Sequence, residues 1–147
     1  MRKSILILIA MAVVIVALTA LLFLPKKNNQ TEVQEEPVAG IKINSPKPNE
    51  LIFSPLKIEG YVNGGGWIGF EAQVGTVRLL DSKGNELAFG ILQAKEEWMK
   101  TKIDFETVLS FVSLEEKNGS LVFYNENPSG DPERNKTFTM PLKLPKK

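Results

Sequence analysis

The chain is 147 residues long, 43% hydrophobic and 24% charged, with no cysteine and no histidine. Disulfides, thiolate nucleophiles, the usual zinc sites, histidine acid–base chemistry and cysteine-linked lipoprotein acylation are therefore excluded. The net charge is +1, but Arg2, Lys3, Lys26 and Lys27 precede every acidic residue, so the chain beyond them is mildly acidic and lacks the basic footprint of a nucleic-acid binder.

Ile5 to Leu24, ILILIAMAVVIVALTALLFL, carries no charge over twenty residues. As a helix it would span about 30 Å, the thickness of the hydrocarbon core of a bilayer. Residues 1–24 are expected to be an N-terminal transmembrane anchor. The alternative is a cleaved signal peptide, for which Ala17 to Ala20 (ALTA) is a weak cleavage candidate with more apolar residues following it. The basic residues on either side differ little in number, and the favoured orientation puts the N-terminus in the cytoplasm and the body outside. Residues 25–39, PKKNNQTEVQEEPVA, are polar and without hydrophobic period, which reads as a flexible tether. Such a tether reaches about 20 Å as a coil and about 50 Å when stretched.

From residue 40 the apolar period becomes two. Alternation predicts strands at 41–43, at 56–62 with Leu56, Ile58 and Val62 on one face, and at 77–80. Asp81 to Asn85 (DSKGN) has hairpin chemistry, and the strand after it (86–92) is expected to place Leu87, Phe89 and Ile91 together. Further strands are expected at 102–109, with Ile103 and Phe105 aligned, and at 121–124, after a turn at 116–120. The last, 137–144, aligns Phe138, Met140, Leu142 and Leu144, with Pro141 off that face and marking a sheet edge. About seven short strands with Gly, Pro, Asn and Asp between them argue an all-β sandwich over residues 40–147.

Two loops concentrate the chemistry. Asn63 to Phe70 (NGGGWIGF) has three consecutive glycines but neither the Gly-Lys-Ser/Thr nor the helix of a phosphate loop. It presents Trp67 and Phe70, with Glu71 beside them. The rings could stack on a ligand such as a sugar or could close the end of the sandwich. Trp98 is expected to pack its ring in the core. A glycosidase would need Glu71 paired with a second carboxylate across a cleft, which makes hydrolysis a remote alternative. The other loop is Asn125 to Asn135 (NENPSGDPERN). Asn127, Pro128 and Gly130 fit a type I turn, and Asp131 before Pro132 is pushed to extended backbone. Its oxygens do not follow the EF-hand spacing. Asp131 or Glu133 pairing with Arg134 or a backbone N–H would shape the loop without any ligand. No metal and no cofactor are expected.

Several stretches together resemble the Gmad2 family, the immunoglobulin-like domain of bacterial spore-germination and related envelope proteins. They are IKINSPKPNELIFSPLKIEGYV (41–62), FEA (70–72), LLDSKGNELAFGILQA (79–94), EEWM (96–99) and NPSGDPE (127–133) before a strand with Pro141. The glycine-rich 64–76 stretch and Lys100 depart from the family pattern. The resemblance implies an immunoglobulin-like fold and a non-catalytic module on the outer side of a bacterial membrane. Its expected partners are the membrane through residues 5–24 and an unknown envelope glycan or protein, with no nucleic acid. The second possibility is a structural part of an envelope complex, using a sheet edge or face.

Overall fold

The computed structural model describes residues 40–112 and 117–145. The predicted anchor and tether lie outside them, and among the described residues no helix is long and apolar enough to cross a membrane. Seven strands are formed: β1 (Gly40–Ser45), β2 (Leu56–Asn63), β3 (Gln73–Leu80), β4 (Glu86–Ala94), β5 (Lys102–Leu109), β6 (Lys117–Asn125) and β7 (Thr137–Leu144). A 3-10 turn, Pro132–Arg134, precedes β7.

All strands pair antiparallel in the order β1-β2-β5-β4-β3-β6-β7. β4 and β5 share only two register pairs, Gln93 with Glu106 and Ala94 with Phe105. Below that short join the strands part, and β1-β2-β5 and β4-β3-β6-β7 become the two layers of an immunoglobulin-like sandwich. Alternation on each strand turns one set of side chains inward. Ile58, Val62, Ile103, Phe105 and Leu109 of the first layer meet Val77, Leu79, Leu92, Leu121, Phe123 and Met140 of the second, all of them buried. Phe105 and Phe123 are fully buried, and each contributes roughly 1.5–3 kcal/mol by leaving water.

Three expectations are corrected. β4 does not turn Leu87, Phe89 and Ile91 inward as a set: Phe89 and Ile91 face solvent, and Leu92 is in the core. The cause is a register break where Leu79 pairs with Ala88 and Leu80 with Glu86. Leu87 is the extra residue there and leans on the core, and the alternation reverses beyond it. Residues 117–120 belong to β6 and pair in turn with Leu144, Lys143, Leu142 and Pro141 of β7, so the predicted turn at 116–120 does not hold there. β3 starts at Gln73, four residues before the predicted strand.

Pro141 sits on the last strand of the order, opposite Ser120. Its carbonyl points away from β6 and accepts from the Asn49 N–H at 2.8 Å, so the missing proline N–H removes no bond from the β6 ladder. Residues 49–52 run along this outer edge: Ile52 N–H donates to Lys143 O, and Lys143 N–H donates to Glu50 O. The β7 edge is thus covered by the chain itself.

Register also sorts the loops. Gly40 is opposite Asn63, Asn63 opposite Lys102, Gln73 opposite Gln93, and Tyr124 opposite Thr137. Loops 64–72, 95–101 and 126–136 therefore share one end of the sandwich with Gly40. Loops 46–55 and 81–85 share the other.

Candidate functional site: a loop end and an open flank

The two chemistry-bearing loops meet at the Gly40 end. Gly64, Gly65 and Gly66 take φ of 61°, 63° and 88°, three successive left-handed residues that only glycine adopts easily. They turn the chain back so that Trp67 N–H donates to Gly64 O and the indole drops into the core. Trp67 is 5% exposed. Of the two roles weighed for it, the ring takes the one that closes the end of the sandwich, and it offers no stacking face on the exterior. Phe70 is 39% exposed and begins a two-residue hairpin whose central pair, Glu71 and Ala72, has φ of 49° and 65°. Phe70 and Gln73 exchange both backbone bonds across it, as in a type I′ turn. Glu71 is exposed at its tip, and Trp98 is half-buried in the neighbouring loop.

Positive φ at Ala72 strains an L-residue by about 1 kcal/mol. Ala72→Gly is therefore expected to raise stability by up to about 1 kcal/mol, less the extra freedom glycine has in the unfolded chain. A rise in the urea midpoint checks it.

The 125–135 loop is fixed from within. Gly130 N–H donates to Asn127 O at 3.1 Å, closing the expected turn, and Gly130 has φ of 68°. Asn127 Nδ2 donates to Asp131 O and Asn135 Oδ1, while Asn127 Oδ1 accepts from Ser129 Oγ. Asp131 is extended (ψ 115°) and caps the 3-10 turn, accepting from Glu133 N–H at 3.0 Å. Its other oxygen lies 3.6 Å from Arg134 Nε. Glu133 contributes its backbone N–H to this cap, and its exposed side chain lines the cavity described next.

Asn125 ties this loop to the glycine loop, a role its local sequence does not announce. Its Nδ2 donates to Gly66 O at 2.7 Å and Arg134 O at 3.0 Å, and its Oδ1 accepts from Lys136 N–H at 2.8 Å. Between the two loops lies a cavity of about 350 Å³ lined by Ile68, Asn125, Glu126, Glu133 and Lys136, among others. Burial holds the Glu126 carboxyl above its ordinary value of 4.5. Protonated, it is neutral in both folded and unfolded chains, and no stability is lost. As pH rises from about that value the unfolded chain ionises first, so stability falls until the folded carboxyl has also ionised. Glu126→Gln is expected to raise the melting temperature at pH 7 and to flatten this part of the pH–stability curve.

A second feature lies on the flank where β4 and β5 part. Along Glu86–Leu92, β4 pairs only with β3, so the edge facing β5 has no partner among the described residues. The notch between them holds about 610 Å³ and is lined by Phe89, Ile91, Gln93, Lys95, Glu106 and Val108, among others. Phe89 is 51% exposed, Ile91 36% and Val108 58%. Phe89 is braced: the Arg78 guanidinium lies 6.0 Å from its ring centroid and 5.6 Å from that of Tyr124, and pairs with Glu86 at 3.3 Å. At the joined end, Lys57 and Lys95 alternate with Glu59 and Glu106 at 3.0–3.6 Å. Hydrogen bonds from Lys57 and Lys95 hold the Glu59 carboxyl below its ordinary range. With its charges matched in this way, the notch offers apolar side chains and unpaired backbone, not a field.

A family model for Gmad2, the immunoglobulin-like domain of bacterial spore germination, matches residues 40–142. The chain belongs to the Gmad2 family. No curated protein and no solved structure matches it. In this Gmad2 domain the family-like segments frame both features: NPSGDPE builds the braced loop, and LLDSKGNELAFGILQA supplies β4, its hairpin and the flank residues Phe89 and Ile91.

Proposed function

We propose that this Gmad2 protein is a non-catalytic module, held outside a bacterial membrane by residues 5–24, which binds a protein of the envelope by taking an extended segment of it into the β4–β5 notch. The observation that carries the reading is the unpaired β4 edge with Phe89, Ile91 and Val108 exposed beside it. An open strand edge offers N–H and C=O groups at strand spacing, which a polypeptide in extended conformation complements. Apolar side chains at alternate positions of that segment would seat against Phe89, Ile91 and Val108. Glycan binding through Trp67, Phe70 and Glu71 is less well supported, because Trp67 is core and the Asn125, Asn127 and Asp131 side chains of the adjoining loop are already engaged in bonds that shape it.

The test is site-specific photocrosslinking in living cells. A photoreactive residue at Ile91 is expected to give one discrete product, and one at Lys143, beside the covered β7 edge, is expected to give none. Absence of product at Ile91 and at Val108 would refute the notch as a binding surface.

A further inference from the structure

The loops at the Gly40 end carry exposed apolar side chains that the notch does not use: Ile68, Phe70 and Met99, the last 71% exposed. They sit on two loops that are locked together. At Gly69 the backbones approach so closely that a Cβ would collide with the Trp98 carbonyl and come 2.8 Å from Ile103 Cδ1. The tips are thus presented as one surface rather than as independent loops.

We infer that this end of the domain docks on the bilayer that holds the anchor, seating Ile68, Phe70 and Met99 at the boundary between headgroups and acyl chains. This rests on the anchor reading above and adds an orientation to it. The described domain begins at Gly40, at this end, and the fifteen residues before it connect to twenty uncharged apolar ones. Fifteen residues span about 20 Å on average if they behave as a coil and about 50 Å at most, so Gly40 would stay near the membrane. Tethering raises the effective concentration of the tips at the surface to the order of millimolar, so three apolar side chains are enough where they would not hold a free protein. The loops at this end carry Glu71, Glu96, Glu97, Glu126, Asp131 and Glu133 against Lys95, Lys100, Arg134 and Lys136, so apolar insertion, not attraction to anionic lipid, is the binding chemistry. The opposite end also exposes Phe53 and Val112, but it is a strand's length further away, about 25 Å for eight residues. The β4–β5 notch lies on the flank and stays open when the loop end is seated.

The absence of cysteine allows a single label at any position. Full-length chains with Met99→Cys or Phe53→Cys, each carrying an environment-sensitive fluorophore, are reconstituted into phosphatidylcholine vesicles containing doxyl-labelled acyl chains. Flotation first shows whether the chain is anchored. The label at position 99 is expected to shift to the blue and be quenched, while that at 53 keeps its emission in water. Adding Ile68→Ser and Phe70→Ser is expected to leave flotation intact and to reduce quenching at 99 to the level seen at 53. Floating vesicles with an unquenched label at 99, quenching at 53 instead, or quenching at 99 that survives the serine substitutions would each overturn the docking. A chain that does not float at all would overturn the anchor, and the docking with it.

Discussion

Replacing Gly60 with alanine is expected to destabilise the domain by about 3 kcal/mol, at the upper end of what overpacking costs. Gly60 lies mid-strand in β2, between Ile43 on β1 and Phe105 on β5. A Cβ there would run into the backbone carbonyl of Lys42 and come 2.8 Å from Phe105 Cζ. The ring can be shortened, but the carbonyl belongs to the strand. Phe105→Leu combined with Gly60→Ala is therefore expected to show less than the sum of the two separate losses while restoring only part of the stability. Urea unfolding reads this as a lower midpoint with an unchanged slope. A midpoint unaltered by Gly60→Ala would mean that β1 does not lie on β2 in this register.

The second large effect concerns the flank. Phe89→Lys together with Val108→Lys is expected to lower the yield of the Ile91 photocrosslink more than tenfold, corresponding to a loss of roughly 2 kcal/mol of binding. Both side chains are exposed, so the fold should lose little, within about 1 kcal/mol for the pair. Lysine at the notch also adds charge beside an open edge, a common device against strand pairing. An equal fall with Glu86→Gln, which removes the partner of Arg78 but no notch contact, would point to loss of the Phe89 brace. An unchanged yield with both lysines in place would show that the notch residues do not contact the partner.

Much of this architecture is legible in the sequence because a half-buried strand writes its two faces as alternation. LKIEGYV and KIDFETVL show it plainly, and the structure puts Ile58, Val62, Ile103 and Phe105 inward as read. The same rule misassigns β4 because, past the register break, the inward positions Ala88 and Gly90 are small. Leu109 and Thr107 fill the space under Gly90, where a Cβ would lie 2.6 and 3.0 Å from their side chains, so the large residues Phe89 and Ile91 point out. Alternation gives a period, not a direction. Asn118-Gly119 reads as a turn by composition, yet Gly119 lies against Leu80 O and the Leu144 side chain, a close approach in mid-sheet.

Site residues divide in the same way. Asn127, Pro128, Gly130 and Asp131 do what turn grammar assigns them, since their bonds are local. Asn125 reaches Gly66 across 59 positions, and no local pattern encodes that. Trp67 belongs to a loop by sequence and to the core by structure because three left-handed glycines fold it back.

On the proposed reading, the β4 edge is open and receives a strand. Hydrogen–deuterium exchange of the amides in residues 86–92 tests it directly. In the purified full-length chain, alternate amides of this stretch should exchange fast while their neighbours, bonded to β3, stay protected. In the complex recovered with the crosslinked partner the fast set should become protected. Uniform protection in the isolated chain, or fast exchange that persists in the complex, would contradict the account.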